Sequence, residues 1–135
     1  MPTIQIPYPL TPRHVNWDSQ FADIPGNTDK YPACFEEIRE EPDTRVNILD
    51  VGCGHGGLLY ALSPVFPQHH ILGLEIRERT VNHTVEQILV SRWETPGAYN
   101  NISIVRANVT KHIANFVEAG SIEKMFFSFP DPKFT

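Results

Sequence analysis

From residue 45 onward, apolar residues fall into short clusters separated by glycine- and proline-bearing breaks. Val46–Val51 is an apolar run that ends in glycines, the pattern of a buried parallel strand. Gly57–Ser63 predicts a short helix, stopped by Ser63-Pro64, and Ile71–Ile76 a second buried strand with Gly73 inside it. Arg79–Trp93 places Val81, Val85, Ile88 and Leu89 at the i, i+4, i+7, i+8 spacing of an amphipathic helix. Glu94–Asn101, with Pro96-Gly97, is a predicted loop, and Ile102–Arg106 alternates as a third strand. Thr110–Glu118 puts Ile113, Phe116 and Val117 on one helical face, with Gly120 where a C-terminal cap belongs. Lys124–Phe129 is a fourth strand, broken by Pro130-Asp131-Pro132.

Strands alternating with helices predict an α/β fold with a parallel sheet and right-handed crossovers. The expected domain therefore covers 46–135 and is doubly wound but incomplete: with about four strands, it leaves an apolar edge and at least one open face. Residues 1–45 differ in texture. Pro2, Pro7, Pro9, Pro12, Pro25, Pro32 and Pro42 crowd this segment, and Gly26-Asn27-Thr28-Asp29 adds a turn signal. An extended N-terminal arm is the prediction, with a short helical turn at Phe35–Glu40.

At 135 residues the length fits one domain. No apolar run approaches the roughly 18 residues of a membrane helix, and Met1–Leu10 lacks a signal-peptide pattern. Cys34 and Cys53 form no framework, which favours a reducing, intracellular compartment. The histidines show no metal-ligand spacing, so no metal is expected. The net charge of −5 gives no argument for nucleic acid, so such a partner would need a local basic face.

The chemistry concentrates after the first strand. Gly52, Gly54 and Gly57 satisfy G-x-G-x-x-G where this fold binds nucleotides, although a ligand-free glycine turn would look the same. Glu75, at the end of the second strand, is placed to accept the ribose hydroxyls of an adenosine cofactor. Together they fit both NAD and S-adenosylmethionine. Asp50, just before the loop, tips the choice: it would repel a pyrophosphate and attract an α-ammonium and a sulfonium. Asn108, after the third strand, either meets the adenine edge or caps a loop.

LDVGCGHGG, LGLEIR and FFSFPDPKF, in this order and spacing, resemble the tRNA (guanine-N7-)-methyltransferase family, whose catalytic subunits have a Rossmann-like class I methyltransferase fold. YPLTPRHVNW in the arm, SPVFPQHHILGLEIR and NISIVRANVTKHIANF are similar to the eukaryotic members as well. The resemblance implies that Gly52, Glu75, Arg77, Asn108, Val109 and Ser128 hold S-adenosylmethionine, with Asp50 and Gly54 beside them. It implies that Asp131 is catalytic and that Lys111, His112 and Lys133 face the tRNA. It also implies a heterodimer with a WD-repeat β-propeller subunit, work in the nucleus (otherwise the cytoplasm), and guanine 46 of the variable loop as the target.

Guanine N7 carries a lone pair and no proton, so methylation needs in-line placement rather than a base. The purine becomes cationic as the methyl moves, and a carboxylate such as Asp131 stabilises that state. His55 in the loop reads as a side chain packed over the cofactor, and Cys53 as a small loop residue. Family members continue well past the Phe-Pro-Asp-Pro stretch, so the chain resembles their cofactor half and is expected to be a truncated form. Three readings follow: a guanine-N7 methyltransferase, a cofactor-binding but inactive module, and an NAD-binding oxidoreductase domain, which Asp50 argues against.

Overall fold

The computed structural model describes residues 12, 17–21, 45–108, 113, 116, 117 and 120–128. The elements are α1 (Trp17–Gln20), β1 (Ile48–Val51), α2 (Gly57–Leu62), β2 (Ile71–Glu75), α3 (Glu78–Glu94), β3 (Ile102–Arg106) and β4 (Lys124–Phe127). Each of the four predicted strands is present, β3 with the predicted bounds. The predicted helix over Thr110–Glu118 lies largely outside the described residues, as does Phe35–Glu40. All strand pairings are parallel, in the order β3-β2-β1-β4. The chain winds outward from β1 through β2 to β3, then crosses back to β4 on the other side of β1. That reversal puts a topological switch point between β1 and β4, where open α/β sheets place their ligands.

Side chains alternate across the sheet, so each strand feeds two cores. On one face Ile48, Ile71, Ile102 and Ile104 pack with Leu59 of α2 and with Val81 and Ile88 of α3. On the other, Leu49, Val51, Leu72, Leu74 and Val105 pack with Trp17, Phe21 and Phe116. β1 and β2 are buried throughout, and four of the five β3 residues are buried. β4, at the sheet edge, leaves Met125 and Phe127 exposed.

Two local readings change. Within the segment read as an extended arm, Trp17–Gln20 is a turn of α-helix, with Trp17 and Phe21 buried in the core. The indole Nε1 donates to the Pro12 carbonyl at 3.0 Å, and the Trp17 ring meets Phe116 edge-on. Burial of two aromatic rings, each worth about 1.5–3 kcal/mol, outweighs the local proline signal. The buried stripe of α3 is likewise Val81, Thr84, Ile88 and Arg92, whereas Val85 and Leu89 are half-buried. Two of these four positions are polar and carry their own hydrogen-bond partners, so hydropathy alone does not mark the stripe.

Arg92 is 1% exposed. Its Nε donates to the carbonyl of Tyr99, a non-glycine residue at a φ of 61°. Nη2 donates to the carbonyls of Gln20 and Ile102 at 3.0 and 2.8 Å, which ties α1 to β3. The Ser103 hydroxyl completes this joint by donating to Gln20 Oε1. Among the described residues no helix is long and apolar enough to cross a membrane.

Candidate functional site

The glycine loop leaves β1 at its carboxyl end and is held from three sides. The N–H groups of Gly52 and Cys53 both donate to the Leu74 carbonyl of β2. Gly54, at a φ of 56°, donates its N–H to Glu75 Oε1 at 3.1 Å. The Thr84 hydroxyl, buried on α3, lies 2.9 Å from the Thr80 carbonyl and 3.3 Å from that of Gly54. His55, exposed on the loop, meets His83 of α3 edge-on with ring centroids 5.6 Å apart. The sequence reading did not single out Thr84, because a threonine inside a helix carries no signal of its own.

Gly73 makes this geometry possible. A Cβ there would sit 2.6 Å from Cys53 Sγ and 2.9 Å from Leu59 Cδ1, so the loop and α2 close directly over bare β2 backbone. Cys53 is accordingly buried, and burial, with the charges of Asp50 and Glu75, pushes its thiol well above the usual range. It is a packing residue, as expected, and no nucleophile. Gly57 opens α2 with nothing within 4 Å of where a Cβ would lie. In a dinucleotide fingerprint the third glycine permits close helix–strand packing, a constraint that Gly57 does not meet here.

Glu75 is 4% exposed and anchors the site. Beyond Gly54, its Oε2 accepts from the Arg77 N–H and the Arg77 Nε, both at 3.0 Å. Burial alone would raise this carboxyl. The hydrogen bonds from Arg77 and Gly54 and the guanidinium charge prevail and hold it below its ordinary value. The sequence suggested a carboxylate accepting two ribose hydroxyls. With the long 3.5 Å contact from Arg77 Nη2 to Oε1, four N–H donors meet its roughly four acceptor positions, so a ribose hydroxyl would have to displace or share that longest contact. Next to it, the Ala107 N–H donates to the Glu75 carbonyl, which brings Asn108, half-buried, to the same edge of the sheet.

Asp50 is the unusual residue. It is fully buried on β1, in register with Gly73 of β2 and Phe126 of β4. The Ser128 hydroxyl donates to Oδ1 at 2.7 Å, while Oδ2 has no hydrogen-bond partner among the described residues. Burial raises the carboxyl above its ordinary value, and the Ser128 hydrogen bond offsets part of the rise. A buried carboxylate oxygen without a donor costs about 1–3 kcal/mol or more, which a cationic ligand group would relieve. The structure thus gathers Asp50, Gly52, Gly54, Glu75, Arg77, Asn108 and Ser128 at the carboxyl edge. Asp131, Val109, Lys111, His112 and Lys133 lie outside the described residues. No group of three or more His, Cys, Asp or Glu residues among the described ones could hold a metal.

Residues 44–135 match the family described as "Putative methyltransferase". The chain belongs to this methyltransferase family. Among curated proteins it is 40% identical over 127 residues to the tRNA (guanine-N(7)-)-methyltransferase of Danio rerio, covering 94% of this chain and 48% of that one. The proteins of the same description from Bombyx mori and Kluyveromyces lactis are 42% and 36% identical. Those matches cover 83% and 96% of this chain and 48% and 44% of theirs. The chain spans about half the length of these relatives. The methyltransferase fold expected from sequence is thereby established, with its strands in parallel order and its glycine loop at the switch-point edge.

Proposed function

We propose that this chain is the donor-binding half of an S-adenosylmethionine-dependent enzyme that methylates guanine N7 in tRNA. The observation that carries the reading is the buried Asp50 carboxylate, with one oxygen lacking a donor among the described residues, beside a glycine loop at the switch point. An α-ammonium group would supply the missing donor and neutralise a charge that burial disfavours. A pyrophosphate would add negative charge beside it. The unconstrained Gly57 likewise favours the methyl donor over a dinucleotide. The descriptions of the relatives supply the substrate.

When bound, S-adenosylmethionine presents an electrophilic methyl on a sulfonium. The protein's part is placement. Gly52 and Gly54 offer bare backbone, Glu75 would take a ribose hydroxyl in place of its 3.5 Å contact with Arg77 Nη2, and Asn108 would meet the adenine edge. Asp131, by the resemblance, balances the charge growing on the purine. Lys111, His112 and Lys133 as tRNA contacts, a β-propeller partner, nuclear location and guanine 46 belong to the same proposal and rest on the resemblance.

Calorimetric titration of the chain tests the donor: S-adenosylmethionine is expected to bind and NAD is not. Tight NAD binding would sink the reading. Methyl transfer to a tRNA transcript by the full-length protein, with and without a propeller partner, tests the reaction. Transfer that survives Asp131→Ala would remove the role given to that carboxylate.

A further inference from the structure

Ser128 sits one residue beyond β4, across the switch point from β1, and both of its hydrogen-bond donors go to that strand. Its N–H donates to the Val51 carbonyl at 2.9 Å, and its hydroxyl donates to Asp50 Oδ1 at 2.7 Å. The resemblance makes Ser128 a position that holds the cofactor. The geometry gives it different work. With its N–H and O–H both directed at β1, neither remains for a ligand. We infer that Ser128 is a positioning residue: its hydroxyl holds Oδ1 of Asp50 across the switch point, so that Oδ2 alone is presented to a cationic group of the methyl donor. This inference rests on the donor assignment proposed above.

The physical case begins with Asp50, whose χ2 torsion is intrinsically broad, so an unheld carboxylate would spread over orientations. A charge-assisted bond of 2.7 Å fixes one oxygen and thereby aims the other. It also lowers the carboxyl toward its ionised form, against the burial that raises it. Among the described residues, few titratable or charged groups lie near Asp50. The glycine loop contributes the Cys53 thiol, and β2 with its continuation contributes the Glu75–Arg77 pair. From β4 the residue in register is Phe126, which carries no charge. Among the described residues, the hydroxyl of Ser128 is the neutral donor that orients this carboxylate and offsets part of the rise that burial causes.

The test compares wild type with Ser128→Ala, Ser128→Thr, Asp50→Asn and the Ser128→Ala/Asp50→Asn pair. S-adenosylmethionine affinity is measured by calorimetry between pH 5 and 9, and the Asp50 side-chain carboxyl is titrated by carbon-detected NMR without ligand. Ser128→Ala is expected to weaken donor binding on the order of tenfold near neutral pH, the worth of one hydrogen bond to a charged group. It should also move the acidic limb of binding, and the Asp50 titration, to higher pH. Ser128→Thr should restore both, and in the Asp50→Asn background Ser128→Ala should have no further effect on affinity. Equal weakening in both backgrounds would show a direct donor contact and overturn the inference. So would an Asp50 titration unmoved by Ser128→Ala in a protein that binds the donor. Failure of wild type to bind S-adenosylmethionine would instead overturn the donor assignment, on which the inference depends.

Discussion

Two of the charged side chains buried among the described residues, Arg92 and Asp50, are treated in opposite ways. Arg92 lies where α1, α3 and β3 meet, and three backbone carbonyls surround its guanidinium. Asp50 lies at the switch point and receives one neutral hydroxyl. Each has one atom without a partner among the described residues, Nη1 and Oδ2. For Arg92 that is one nitrogen of three, and burial lowers its pKa only to about 10, so it stays a cation at neutral pH. For Asp50 it is half of the carboxylate. A buried charge enclosed by carbonyls from three chain segments is architecture, whereas one left half-met at the ligand edge is a site.

The largest expected effect breaks the architectural side. Arg92→Leu strands three buried carbonyls and is expected to cost about 3–5 kcal/mol in urea unfolding, releasing α1 from β3. The protein that remains folded should bind the donor with unchanged affinity. A loss of affinity without loss of stability would reverse the comparison. Gly73→Ala comes next, at about 1–3 kcal/mol from overpacking against Cys53 and Leu59. Combined with Cys53→Ala it should recover part of that loss in a double-mutant cycle, and strict additivity would show that the contact is not what costs.

Asp50→Asn should act in the opposite direction to Arg92→Leu. Removing a half-satisfied buried charge is expected to raise the midpoint of unfolding, by the equivalent of about 1 kcal/mol, while donor binding falls at least tenfold. A destabilised variant with intact binding would place Asp50 among the structural residues. The smallest effect is in the pH dependence. Because the folded Asp50 carboxyl lies above its ordinary value, the folded state binds this proton more readily than the unfolded chain. The cost of the charge is therefore relieved as pH falls through the folded value. The advantage of Asp50→Asn should shrink from pH 7 toward pH 4 in chemical denaturation, and a growing advantage would contradict the assigned direction. Glu75, held below its ordinary value, contributes the reverse: stability present at neutral pH and lost in acid.

Much of this was legible from local pattern. The alternation at Ile102–Arg106, the glycines after Val51 and the glycine within Ile71–Glu75 each announce their element or their close contact. What escaped depends on residues remote in sequence. Ser128 and Asp50 are 78 positions apart, and nothing in either neighbourhood names the other. Trp17 and Phe21 lie in a proline-rich stretch, and only the finished sheet provides the surface that buries them. Arg92 and Thr84 occupy buried turns of α3 because backbone carbonyls satisfy them, a condition that hydropathy does not record.

The closeness of Cys53 to Gly73 has a practical consequence. The thiol lies beneath the loop, where a modifying reagent can reach it only when that loop lifts from β2. With Cys34 replaced by serine, the rate at which a maleimide labels Cys53 becomes a clock for loop opening, read without substrate, partner or turnover. A bound ligand that clasps the glycines would slow that clock, and by the same measure would report its own residence.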